Sequence, residues 1–185
     1  MAGLSFADIE KEFDESLGYI KNDISALCRQ NEKVNYTVAL LVAIGCEVLA
    51  EGRGDGKPPN AVFAELLPTN DWKALAKPLW EALRHGLAHK FDTKHLQVDG
   101  KSIQIYFFWE RKQIMEIGPA NGGTGLLIGT RPLGKLFCTK IEEFRQELQT
   151  DAAAQERFRR AYGRDNMTKC STTETAAWRR LVAGK

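Results

Sequence analysis

Residues 34–51 are apolar almost all the way round, and this one stretch constrains the fold more than any other. A helix at a protein surface carries its apolar side chains in a stripe, whereas a helix apolar on every side has to be surrounded. Its longest apolar part, residues 38–50, is interrupted by Glu47 and falls short of the roughly 20 apolar residues that a membrane span needs. The stretch therefore predicts the central helix of a bundle, with no membrane segment.

The flanking sequence supplies helices to surround it. Phe6, Ile9, Phe13, Leu17, Ile20, Ile24 and Leu27 recur at three and four residues, an amphipathic stripe, with Ser5 and Asp8 placed to start it. The glycines and prolines of residues 52–59 predict a loop, followed by a short helix over 60–67 that Pro68 ends. Asn70 or Asp71 then caps a third long helix with Trp72, Leu75, Leu79, Leu83 and Leu87 on its core face, and Pro78 either kinks it or marks its true beginning. From Pro132 a helical stripe resumes through Leu136, Ile141, Phe144 and Leu148, and residues 158–162 add a further piece.

After Phe91 the period changes to two. Residues 95–98 and 101–109, with Ile103, Ile105 and Phe107 alternating, flank Asp99-Gly100 and predict a hairpin. Residues 114–117 and 126–128 add strands around a glycine-rich connection, 118–125, which matches neither the P-loop nor the dinucleotide fingerprint. The fold class is thus mainly α: a helical bundle over residues 1–163 with a small antiparallel β insertion at about 94–128. Residues 164–185 form a tail with a short helix near 173–182.

Composition narrows the class further. With 43% hydrophobic and 27% charged residues in 185, the chain suits one globular domain and excludes a disordered or fibrous one. A net charge of +2 does not by itself announce a nucleic-acid binder. The charge is uneven, however: residues 1–30 are acidic and the last thirty are basic. Arg157, Arg159 and Arg160 are candidate RNA contacts there, beside the commoner reading of a solvated charged face. Cys28, Cys46, Cys138 and Cys170 form no C-x-x-C pair, so free thiols in a reducing compartment are expected. The first fifteen residues carry acids where a signal peptide needs a basic patch, which predicts a cytoplasmic protein.

The sharpest chemical signal is Arg84-His85-Gly86-Leu87-Ala88-His89, near the end of the third long helix. About 0.6 matches to Arg-x(4–6)-His arise by chance in such a chain, falling to roughly 0.06 when a polar Asn, Asp or His must follow the arginine, as His85 does. Gly86 inside a helix costs about 1 kcal/mol relative to alanine, so it predicts a close approach of another backbone or a ligand. His85 and His89 also form H-x-x-x-H with Glu81 a turn earlier, a spacing that can hold zinc. A metalloprotease, though, has glutamate where Gly86 stands, so neither metal nor cofactor is expected. Glu47 and Glu51 on the apolar helix are candidate supporting acids for Arg84. Trp109 beside Arg111 and Lys112, with Tyr106, reads either as a base-stacking platform or as aromatics packed under the sheet.

The motif resembles the R-[polar]-x-x-x-H signature of the HEPN superfamily, the higher eukaryote and prokaryote nucleotide-binding domains, and the helical layout from Phe6 to Phe91 with the helix returning from Pro132 is similar to theirs. The resemblance implies a metal-independent endoribonuclease whose site is completed by pairing two copies of the motif across a homodimer, or a non-catalytic relative that binds nucleic acid or protein. Arg84, His89 and His85 are the catalytic residues it implies, RNA the substrate, and a protein such as a nucleotidyltransferase antitoxin a possible partner.

Overall fold

A computed structural model describes residues 5–30, 33–90, 96–120, 123–162 and 171–183 of the chain. The described residues form a mainly helical domain with small β sheets. Its first rod comprises α1 (Phe6–Phe13) and α2 (Tyr19–Arg29), made continuous by one π-helical turn at Asp14–Gly18. Ser5 and Asp8 close a capping box at its start: Asp8 donates its backbone N–H to Ser5 Oγ (3.3 Å), and Ser5 donates its own to Asp8 Oδ2 (2.8 Å). The Ser5 hydroxyl also donates to Asp8 Oδ2 (2.8 Å), and this bond with the one from the Ser5 backbone N–H holds the Asp8 carboxyl below the usual aspartate range.

The apolar stretch forms α3 (Asn35–Arg53) at the centre, packed by α2, α4 (Pro59–Ala64), α6 (Ala76–Lys90), α7 (Thr130–Thr150) and α8 (Ala152–Tyr162). Val38, Ala39, Val42, Ala43, Cys46 and Leu49 are fully covered. By length and composition α3 is apolar enough to cross a bilayer, and this enclosure by neighbouring helices accounts for that composition. The neighbours come close enough to require small residues. A Cβ on Gly45 would lie 2.4 Å from the Phe137 ring. Burial pushes the Cys46 thiol far up, so it behaves as a small apolar side chain.

Helix α3 runs two residues past the expected loop boundary, through Gly52 and Arg53. Tertiary contacts override the weak helical preference there. A side chain on Gly52 would press on Tyr162 and Phe158 of α8, so glycine permits that approach, and Arg53 is held by Glu65 at 2.7 Å. Gly54 then ends the helix in the left-handed conformation, φ 57°. The third long helix is also split. Thr69, rather than Asn70 or Asp71, caps a short α5 (Asn70–Ala74), and α6 starts afresh at Ala76 with Pro78 in its first turn, where a missing N–H costs nothing.

The β insertion differs from the expected antiparallel unit. β1 (Leu96–Val98) and β2 (Lys101–Ile103) are the expected hairpin, turning through Asp99 and Gly100 at φ 50° and 74°. The chain then changes sheet at Gln104. β3 (Ile105–Phe108) pairs in parallel with β5 (Gly123–Gly129), which pairs antiparallel with β4 (Met115–Ala120), giving the order β3-β5-β4. Leu126, Leu127 and Ile128 are consecutive and all buried, so β5 is covered on both faces and must be a central strand. Its hairpin to β4 fills one edge, and β3 fills the other. The glycines expected in a connection lie largely in these strands: a Cβ on Gly125 would strike the Tyr106 ring at 2.7 Å and one on Gly118 would strike Leu127 at 2.7 Å. β5 passes directly into α7, whose buried Thr130 donates its hydroxyl to Asn35 Oδ1 at 2.5 Å, tying the start of α7 to that of α3. In the tail, α9 spans Thr172–Ala183, where a short helix near 173–182 was expected.

Candidate functional site

Helix α6 carries the arginine-histidine motif, and its attachment to α3 sets the geometry. Trp80 donates its indole N–H to the Ala43 carbonyl (3.1 Å), and one turn later Arg84 Nε donates to Glu47 Oε1 (3.0 Å). The two contacts advance together by one turn on each helix, so α6 and α3 run in the same direction. Leu79, Ala82, Leu83, Gly86 and Leu87 fill the buried side of α6. Gly86 is thus part of the core-facing side.

The opposite side faces solvent. At 100° per residue, Lys77, Pro78 and His85, all exposed, mark an open arc, with the half-buried Glu81 within it. Arg84 lies at one border and position 89 at the other, about 140° away around the helix. His85 packs edge-on against Trp80, with ring centroids 6.5 Å apart. The side chains of His89 and Lys90, and all of residues 91–95 including His95, lie outside the described residues. Among the described residues, no group of three His, Cys, Asp or Glu side chains converges as a metal site would require.

The Arg84–Glu47 pair is partly exposed, 27% and 35%, so it contributes about 0–1 kcal/mol and acts chiefly as a positional restraint. A guanidinium has five N–H donors, and the bond through Nε leaves the terminal nitrogens for an anion. Glu51, the other acid proposed beside Arg84, instead lines a groove with Gly54, Gly56, Arg157 and Arg160.

The α8 arginines each face an acid within the fold, the Arg160 side chain remaining 75% exposed. Arg157 donates from Nε to the Arg53 carbonyl (3.1 Å) at the end of α3 and from a terminal nitrogen to Glu147 (3.2 Å). Arg159 and Arg160 both face Glu156, at 3.8 Å and 3.1 Å. The aromatic platform is likewise absorbed: Trp109 is 5% exposed, and Arg111 lies over Phe108 while pairing with Glu116. So little exposed, Trp109 has no open face on which a base could stack.

One constellation escaped the sequence reading. Cys28 and Arg29 on α2 meet Arg131, Lys135 and Cys138 on α7 around a cavity of about 260 Å³. The only local signal was the i, i+4, i+7 spacing of Arg131, Lys135 and Cys138, which puts them on one helix face. Comparison of the chain with family models, with curated proteins and with solved structures yields no match.

Proposed function

We propose that the chain is a HEPN-like, metal-independent endoribonuclease of the cytoplasm, its active site completed by two copies of α6 facing one another across a homodimer. The observation that carries this reading is the open arc of α6, bordered by Arg84 and by position 89 and held in register on α3 by Trp80 and Arg84. In RNA cleavage, a base takes the proton from a 2′-hydroxyl as that oxygen attacks phosphorus, and an acid gives a proton to the departing 5′-oxygen. One imidazole cannot stand at both ends of an in-line displacement, whereas two facing copies supply two. Histidine suits either task because its ordinary pKa is about 6.5. Arg84, steadied by Glu47, supplies N–H donors to the charged phosphorane, and His85 orients the site.

Incubation of the full chain with structured RNA in excess chelator tests this chemistry. Cleavage is expected to continue and to leave 2′,3′-cyclic phosphate ends, because the nucleophile is the substrate's own hydroxyl. Cleavage abolished by the chelator would overturn it.

A second reading is favoured by a specific contact. The carboxylate of Glu47 already faces Arg84, and the α8 arginines are likewise paired, so the same surfaces suit a non-catalytic module that binds a partner through the α6 arc. RNA left uncut under all conditions would select that reading.

A further inference from the structure

Helices α2 and α7 pack antiparallel, with Cys28 Sγ 3.8 Å from the Arg131 carbonyl and Cys138 Sγ 3.6 Å from that of Lys21. Between these two levels lies the cavity of about 260 Å³ lined by Ser25, Cys28, Arg29, Arg131, Lys135 and Cys138. Three of the six residues are cationic, and no carboxylate is among them. Most described arginines face an acid, yet among the described residues Arg29, Arg131 and Lys135 are in no ion pair. The nearby acid Glu142, one turn beyond Cys138, is held by Lys21 at 2.6 Å.

Arg131 is fixed in place without being neutralised. Its Nε donates to the Cys28 carbonyl (3.0 Å), one of the acceptors left open at the end of α2, and its guanidinium lies over the buried Trp109 ring at 6.0 Å. A guanidinium preset in this way gives up little entropy on meeting an anion. Burial pushes both thiols up, so Cys28 and Cys138 stand as neutral walls beside the cations.

We propose that this cavity is a binding site for a small phosphate monoester. Three positive charges match a dianionic phosphate better than a singly charged carboxylate. The volume lies just below the usual range for ligand pockets, suiting a phosphate on a compact body and not an extended nucleotide chain. The site is separate from the α6 motif and does not depend on its reading.

Cys138, half-buried in the cavity wall, provides the readout. The full chain is alkylated with iodoacetamide and the peptide carrying Cys138 is followed by mass spectrometry, in the presence of ribose 5-phosphate, uncharged ribose, or a short single-stranded RNA. Ribose 5-phosphate is expected to protect the thiol saturably and ribose to have no effect. In an Arg29→Gln/Lys135→Gln variant, both positions being exposed, the concentration for half-protection should rise roughly tenfold or more, the scale of one charge-assisted hydrogen bond. Arg131 is left intact because it also holds the end of α2. Absent protection by ribose 5-phosphate, unchanged half-protection in the double variant, or protection by RNA alone would overturn the proposal.

Discussion

His89→Ala is expected to slow RNA cleavage by roughly 10²- to 10⁴-fold, the usual contribution of a positioned acid or base. Arg84→Ala should lose a comparable amount, since it withdraws donors from the phosphorane. His85→Ala should be milder, because that ring rests against Trp80 and is assigned an orienting role. None of the three should unfold the domain: Arg84 is in a partly exposed pair, His85 is exposed, and position 89 borders the open arc. Circular dichroism and thermal melting alongside single-turnover cleavage separate the effects. A His89→Ala variant that cuts at the wild-type rate would remove the histidine from the mechanism.

Phe144→Ala is expected to have the largest effect on stability. Its ring is 1% exposed and meets Phe13 at 6.3 Å and Phe158 at 6.1 Å, with the Arg53 guanidinium over its face at 5.9 Å. This cluster joins α1 to α7 and α8, which lie far later in the chain, at the end of α3. Truncation removes the buried ring and leaves a cavity that three packed helices cannot readily collapse, at a cost of about 3–5 kcal/mol. Total stabilities are about 5–15 kcal/mol. For a domain of this size the loss corresponds to a fall in Tm of roughly 6–20 °C. Denaturation by urea, with the slope unchanged and the midpoint lowered, checks it. A midpoint within error of wild type would contradict the packing described.

The difference between these two predictions reflects what was legible in the sequence. α3 was readable because its apolarity is local and complete. Its end was not, because what carries the helix through Gly52 and Arg53 is α8, a hundred residues away, and Glu65 beyond the loop. The Asp99-Gly100 turn was readable because its backbone demands are local. The parallel pairing of β3 with β5 was not: alternation along Ile103, Ile105 and Phe107 is the same whichever strand lies alongside, and the chain's change of sheet at Gln104 leaves no mark in it.

The site divides in the same way. The Arg84–Glu47 contact could be anticipated because an acid inside an apolar helix needs a partner, and Glu47 faces Arg84 while Glu51 faces α8. The cavity between α2 and α7 could not be, since its cations come from segments about a hundred residues apart and only antiparallel packing brings them together. The α8 arginines show both. The run of positive charge was legible, but the reach of Arg157 to the end of α3 and to Glu147 was not, because only the fold brings those groups beside it.

The most direct test of the shared α6 site is to co-express wild-type chain with the His89→Ala variant in varied ratio, confirm dimers by sedimentation, and measure cleavage at constant total protein. If both histidines of a dimer act on each phosphate, activity falls as the square of the wild-type fraction, because only wild-type pairs cut. A fall in direct proportion to that fraction, or cleavage by a strictly monomeric species, would contradict the composite site.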